Sequence, residues 1–285
     1  MSDFVMAQSL KQALEVLAQG QVQIIAGGTD LMIHLRKCRL SGEQTPDTIL
    51  DVSRLEELKR LEANADAPYI GAGVTFRTLE SDPEVTRHLP VLAQAAATVG
   101  SVQVRQTATI GGNVANASPA ADGMTALTAL GAKAEIASIE GKRFCPIEEL
   151  VSAPNETRLK PQELIVGFVL DKLAPEGQRF AKVGRRQAVS VARLNLAVCL
   201  DQSLSDPRAV LGACFPSPRR LADVEKLIKQ GEPGDELWRA AGHQAAQHFT
   251  DVCGWRSSAT YKVPAVTRVT ARTLAQAWAP LGGAA

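Results

Sequence analysis

Two stretches carry residue types that could hold a ligand. "IIAGGTD", residues 24–30, and "TATIGGNVANASPAAD", residues 107–122, each place a glycine pair behind an apolar residue and follow it with small polar side chains. Glycine tolerates positive φ and lets another group approach the backbone closely, so such a pair serves either as a plain turn or as a cradle for anionic oxygens. Gly27 and Gly28 fall between a strand pattern and a helix pattern, where backbone N–H groups and a helix N-terminus can face phosphate oxygens. Thr29 adds a hydroxyl. Asp30 would repel a phosphate and reads as the cap of the following helix. In the second stretch Thr109, Asn113 and Ser118 offer side-chain hydrogen bonds, and Ala115, Ala117, Ala120 and Ala121 leave room for something bulky. Asp122 would either accept from a ribose or an adenine amine, or cap the next helix. Either pair alone reads as a turn. Together they suggest two backbone loops meeting around one ligand.

Other chemistries lack their residues. "GAGVTF" carries Phe76 where a dinucleotide fingerprint needs its third glycine, and no GxxxxGK[ST] is present. A diphosphate site outside the Rossmann and P-loop types is what remains. The five cysteines, Cys38, Cys145, Cys199, Cys214 and Cys253, are too widely spaced for a zinc knuckle or an iron–sulfur run. His243 and His248 are not at same-face helical spacing and there is no HExxH, so no metal site is expected. A net charge of +1 gives no reason to expect nucleic acid. No apolar run approaches membrane-spanning length, and the N-terminus lacks a signal peptide's basic and apolar segments, so a cytoplasmic protein is expected.

The elements that must position these residues read as mixed α and β. At 285 residues the chain suggests two domains or one large one. "SLKQALEVLAQ" has helical spacing with Ser9 as N-cap, "QVQIIAGG" is a strand, "DLMIHLRK" a helix and "DTILDV" a strand, an order that favours parallel pairing. "APYIGAGVTF" reads as a strand entering a turn, "TFRTLESDP" as a short helix, and "LPVLAQAAATVG" as an amphipathic helix stopped by Gly100. "DGMTALTALGA" predicts a helix, "KAEIASIEGKRF" a hairpin, "ELIVGFVL" a strand and "DKLAPEGQ" a linker. Beyond it, "RFAKVGRR", "SVARLNLAVCL" and "RAVLGACF" predict an antiparallel meander followed by three helices. Lys182, taken alone, is a solvent-facing strand lysine.

"AGGTD" followed by "VGSVQVRQTATIGGNVANASPAAD" closely resembles the FAD-binding medium subunit of the molybdenum hydroxylases, the family of xanthine, nicotinate and carbon monoxide dehydrogenases, and the likeness extends through "RFAKVGRR". The resemblance implies an α+β fold: an FAD-binding domain of the PCMH type over 1–172, with α/β subdomains at about 1–55 and 56–172, and a C-terminal domain over 178–282 with a small antiparallel sheet and helices. It implies that Ala26, Gly27, Gly28, Thr29 and Asp30 wrap the FAD diphosphate with backbone N–H groups and that Thr109, Gly111, Gly112 and Asn113 hold it from the other side. It places Asp122 near the adenosine ribose, Ile165 near the flavin cleft and Lys182 at the flavin end. It also implies an electron-transfer oxidoreductase subunit. Electrons would come from [2Fe-2S] clusters in a small partner and a molybdopterin cofactor in a large partner, and would leave to NAD+ or another acceptor. No general base is expected in this chain. "GGTD" favours the purine and nicotinate branches. The sequence departs from relatives after Arg185 and Arg186, where "QAVSVA" replaces an acid and an aromatic or Ile, leaving open which side chain covers the flavin ring. A nucleotide-binding sensor or scaffold without redox activity is the alternative.

Overall fold

A computed structural model describes residues 3–172, 174–186 and 189–282. The chain opens with β1 (Asp3–Met6), α1 (Leu10–Leu17), β2 (Val22–Ile25), α2 (Leu31–Ser41) and β3 (Thr48–Asp51). The three strands form one parallel sheet with β3 in the middle. The Ser9 hydroxyl accepts from the Gln12 N–H and caps α1, and Ala13 and Leu17 bury against the sheet's inner face. β1 is the strand whose four residues gave too short a sequence signal to read.

The middle of the chain contains β4 (Leu61–Glu62), β5 (Tyr69–Gly71), α3 (Phe76–Ser81), α4 (Pro83–His88), α5 (Pro90–Ala97), α6 (Val102–Thr107), α7 (Ile110–Ala115) and α8 (Asp122–Leu130). Then follow β6 (Lys133–Ser138), β7 (Gly141–Pro146), α9 (Ile147–Leu150), β8 (Val151–Ala153), β9 (Glu156–Thr157) and β10 (Leu164–Val169). The sheet order is β4-β5-β10-β6-β7, and every pairing in it is antiparallel. α5 is not amphipathic: five of its eight residues are buried, because it lies between α3, α4 and α8 on one side and the last sheet on the other. It ends at Ala97, before the glycine expected to stop it.

The last part is the antiparallel sheet β11 (Gly177–Val183), β12 (Leu194–Leu200), β13 (Arg208–Gly212) and β14 (Arg219–Arg220), in that order. The helices α10 (Ala222–Gln230), α11 (Asp235–Cys253) and α12 (Ala259–Trp278) follow. β12 is buried along its whole length. One face carries Leu194, Leu196 and Val198 into a core with α11 and α12. Its other face carries Ala197 and Cys199, with Phe180 and Val210, into the core shared with α5, α8 and the five-stranded sheet. α8 is buried at all nine positions. No helix among the described residues is long and apolar enough to cross a membrane.

Candidate functional site

The first glycine stretch leaves β2 and enters α2. Gly28 has φ +67°, a backbone state that glycine adopts without strain. A Cβ on Gly27 would stand 2.0 Å from the Thr107 carbonyl oxygen, so the two glycine motifs touch through the one residue that has no side chain. Among the described residues, the N–H groups of Ala26, Gly27, Gly28, Thr29 and Asp30 donate to no protein acceptor. Successive free N–H groups beside a concavity make an anion-binding nest. A cleft of about 420 Å³ opens there, with Ala26 and Gly27 on one wall and Thr75, Thr107 and Thr109 on the other. Asp30 is exposed and does not line it, which removes the repulsion the sequence raised. Its carboxylate makes no cap bond either. Its backbone is already helical, at φ −101° and ψ −46°, and that aims the side chain away from the first-turn amides.

The second stretch is not simply a loop: it holds the short helix α7 between the end of α6 and the start of α8. Thr109 is extended and caps α7, its hydroxyl accepting from the Gly112 N–H at 3.1 Å. The Gly111 N–H donates to the Ala72 carbonyl at 2.8 Å and the Asn113 N–H to the Thr109 carbonyl at 3.0 Å. The N–H groups of Gly111, Gly112 and Asn113 are therefore engaged inside the protein. Gly111 is needed for packing: a Cβ there would meet Ala72 at 2.6 Å. Gly112 is exposed, and only the Thr109 hydroxyl lies near its missing Cβ. Asn113 has a role the sequence did not reveal. Its side-chain oxygen accepts from the Met124 N–H at 3.1 Å and caps α8 from eleven residues upstream. Asp122, the expected cap, is inside the helix and makes no cap bond.

Asp122 instead anchors a buried polar chain. Its Oδ2 receives Lys182 Nζ at 2.5 Å and the Thr98 hydroxyl at 3.3 Å, and its Oδ1 receives Asn195 Nδ2 at 2.6 Å. The Thr125 hydroxyl donates to Asn195 Oδ1 at 3.1 Å, and Lys182 Nζ also donates to the Thr98 carbonyl at 2.9 Å. Burial pushes the Asp122 carboxyl up, while the Lys182 ammonium and the Asn195 and Thr98 donors pull against it. Both carboxylate oxygens are engaged within the protein, not turned to a ribose. Lys182 is not solvent-facing: its side chain is 11% exposed. It lines a second cleft of about 870 Å³ between the Thr98–Arg105 segment and the end of β11. Asn195 was missed. The signal was a lone amide between Leu194 and Leu196, where an unpartnered polar group would be costly.

Ile165 is 4% exposed, faces Ile136 across the ladder, and lines neither cleft. At the rim of the larger cleft the Ser190 hydroxyl accepts from the Arg185 N–H at 3.0 Å, and Val191 is exposed. Gln187 and Ala188 of the divergent segment lie outside the described residues. The five cysteines are free, and no cluster of metal-ligating side chains occurs among the described residues.

A cleft walled by free backbone N–H groups and threonine side chains, with no carboxylate lining it, is suited to a diphosphate-bearing cofactor. Residues 1–170 match the family described as the FAD binding domain in molybdopterin dehydrogenase, and the chain belongs to that family. It is similar to the putative xanthine dehydrogenase FAD-binding subunit of Escherichia coli K12, at 30% identity over 97% of this chain and 96% of that one. It is similar to the nicotinate dehydrogenase FAD-subunit of Eubacterium barkeri, at 31% identity over 94% and 93%. Its fold is that of a chain of the carbon monoxide dehydrogenase of Hydrogenophaga pseudoflava, solved in a form lacking the Mo-pyranopterin moiety, with TM-score 0.87 and 25% identity over 98% and 97%. The protein is the FAD subunit of a molybdenum hydroxylase-type dehydrogenase.

Proposed function

We propose that this chain is the electron-transfer subunit of a cytoplasmic xanthine- or nicotinate-dehydrogenase-like complex. It would take electrons from [2Fe-2S] clusters of a small partner subunit and pass them to NAD+ or another acceptor. Substrate oxidation would take place at a molybdenum cofactor in a large partner. The observation that carries the reading is the run of five free N–H groups, residues 26–30, beside a cleft with no carboxylate on its walls. The names of its relatives support it: FAD-binding subunit of a xanthine dehydrogenase, FAD-subunit of a nicotinate dehydrogenase, medium chain of a carbon monoxide dehydrogenase.

In this reading the run of N–H groups at residues 26–30 binds the diphosphate, Ala26 and Gly27 from the cleft wall itself, and Gly27 brings the run against the Thr107 backbone. Thr109 sets the geometry of the facing helix end, its hydroxyl taking the Gly112 N–H. Lys182, fixed by Asp122 and the Thr98 carbonyl, presents a positive wall to the larger cleft. Bound FAD supplies the exchange between one-electron and two-electron transfer. The partners and the acceptor settle what is oxidised and what is reduced.

The test is direct. The purified chain should be yellow, show flavin absorption bands and release FAD on denaturation. The complex assembled with its small and large partners should be reduced by a purine or by nicotinate. A colourless chain that cannot be reconstituted with FAD would refute the cofactor. A complex reduced only by aldehydes would refute the substrate class.

A further inference from the structure

We propose that Lys59 is a binding residue for the cofactor diphosphate, supplying the charge that the glycine stretch cannot. The inference rests on the reading that the smaller cleft holds that diphosphate. Backbone N–H groups and threonine hydroxyls are neutral donors, whereas a diphosphate joining two esters carries two negative charges at neutral pH. A site built from neutral donors alone leaves those charges without a counter-ion. Lys59 is the one charged residue lining this cleft among the described residues. An ammonium on a flexible stem suits a phosphate, which it meets as a point charge.

The backbone holds Lys59 firmly while its side chain is free to move. Leu58, which precedes it, is 2% exposed, and the Leu58 carbonyl accepts from the Gly73 N–H at 2.7 Å. The Arg60 carbonyl, which follows, accepts from the Gly71 N–H at 2.7 Å. Gly71 permits this approach, since a Cβ there would stand 2.2 Å from the Leu58 oxygen. The main chain is therefore pinned on both sides of Lys59, at the cleft wall. The Lys59 side chain is 42% exposed, and among the described residues its one partner is Glu56, at 2.7 Å, itself 82% exposed. An exposed pair three residues apart holds an ammonium weakly, so a doubly charged ligand can take Lys59 from Glu56.

The experiment uses the full-length, flavin-free chain and FAD as the probe, with Kd read from fluorescence at low and at high salt. Lys59→Gln should weaken FAD binding about tenfold or more at low salt, as expected for loss of a hydrogen bond to a charged group. The difference from wild type should shrink at high salt, because the lost contact is ionic. Lys59→Arg should bind nearly as wild type does, and the unfolding midpoints of both variants should match the parent's. An unchanged Kd in Lys59→Gln overturns the inference, and so does a loss that salt does not alter. If wild type itself takes up no FAD at any concentration, the reading of the cleft falls instead.

Discussion

Replacing Asp122 by Asn should destabilise the protein far more than the near-identical shapes of the two side chains suggest. The amide oxygen introduced by Asp122→Asn could still accept from Asn195, so the hydrogen-bond chain through Thr125 would survive in part. What is lost is the counter-charge of Lys182, whose ammonium is 2.5 Å from the carboxylate on a side chain only 11% exposed. With that oxygen on Asn195, Lys182 would face the amide NH2 and keep only the Thr98 carbonyl, which carries no formal charge. Breaking a buried pair from one side costs about 3–5 kcal/mol, because the remaining charge is buried without compensation. Removing both charges removes that penalty, so Asp122→Asn with Lys182→Met should recover to within about 2 kcal/mol of wild type. Urea unfolding of the flavin-free chain gives the four corners of the cycle, and the coupling energy should be at least about 2 kcal/mol. Additive losses, or a single Asp122→Asn loss under about 1 kcal/mol, would show that the pair contributes no net attraction and that hydrogen bonding alone joins α8 to β11.

Gly27→Ala should lower both stability and FAD retention, since its Cβ would meet the Thr107 backbone at 2.0 Å; overpacking of this kind costs about 1–3 kcal/mol. Gly112→Ala should leave the unfolding midpoint within about 0.5 kcal/mol of wild type, because its new Cβ meets only the Thr109 hydroxyl. Equal losses in the two variants would contradict this placement of the motifs. The turn after β12 predicts an acid sensitivity. Burial pushes Asp201 up, but the Ser203 and Ser205 hydroxyls and the Ser205 and Asp206 N–H groups outweigh it and hold the carboxyl at about 2. A carboxyl lowered on folding stabilises above its unfolded value of 3.8 and loses that contribution as pH falls towards about 2. The stability gap between wild type and Asp201→Asn should therefore close between about pH 4 and pH 2, and a gap independent of pH would refute it.

Much of the architecture was legible because the signals were local. The Ser9 cap, the parallel unit around "IIAGG", the hairpin at Glu140-Gly141 and the final meander all rest on spacing and turn chemistry within a few residues. What escaped was set from a distance. "TATIGGNVA" reads as a loop because glycine pairs disfavour helices. The Thr109 cap and the packing of Gly111 against Ala72 nevertheless make a helix of it. Lys182 reads as exposed because its partner is sixty positions earlier, and Asn113 reads as a ligand donor because the helix end it caps lies eleven residues on. The first glycine stretch was legible as a strand-to-helix turn, and its donors are free because no neighbouring strand pairs with them.

The family match stops at residue 170, just beyond the end of β10, yet the physical seam does not follow that line. Phe180, Ala197 and Val210 share one core with Ile70, Leu92 and Leu127, and α8 has no face left for water. A peptide bond cut between β10 and β11 would nick the molecule without dividing it. The two pieces would stay associated under native conditions, and either one made alone would display a broad oily face. In mechanical terms the linker is a tether between parts already clasped, and the larger cleft, walled by residues from both sides of it, lies across that clasp.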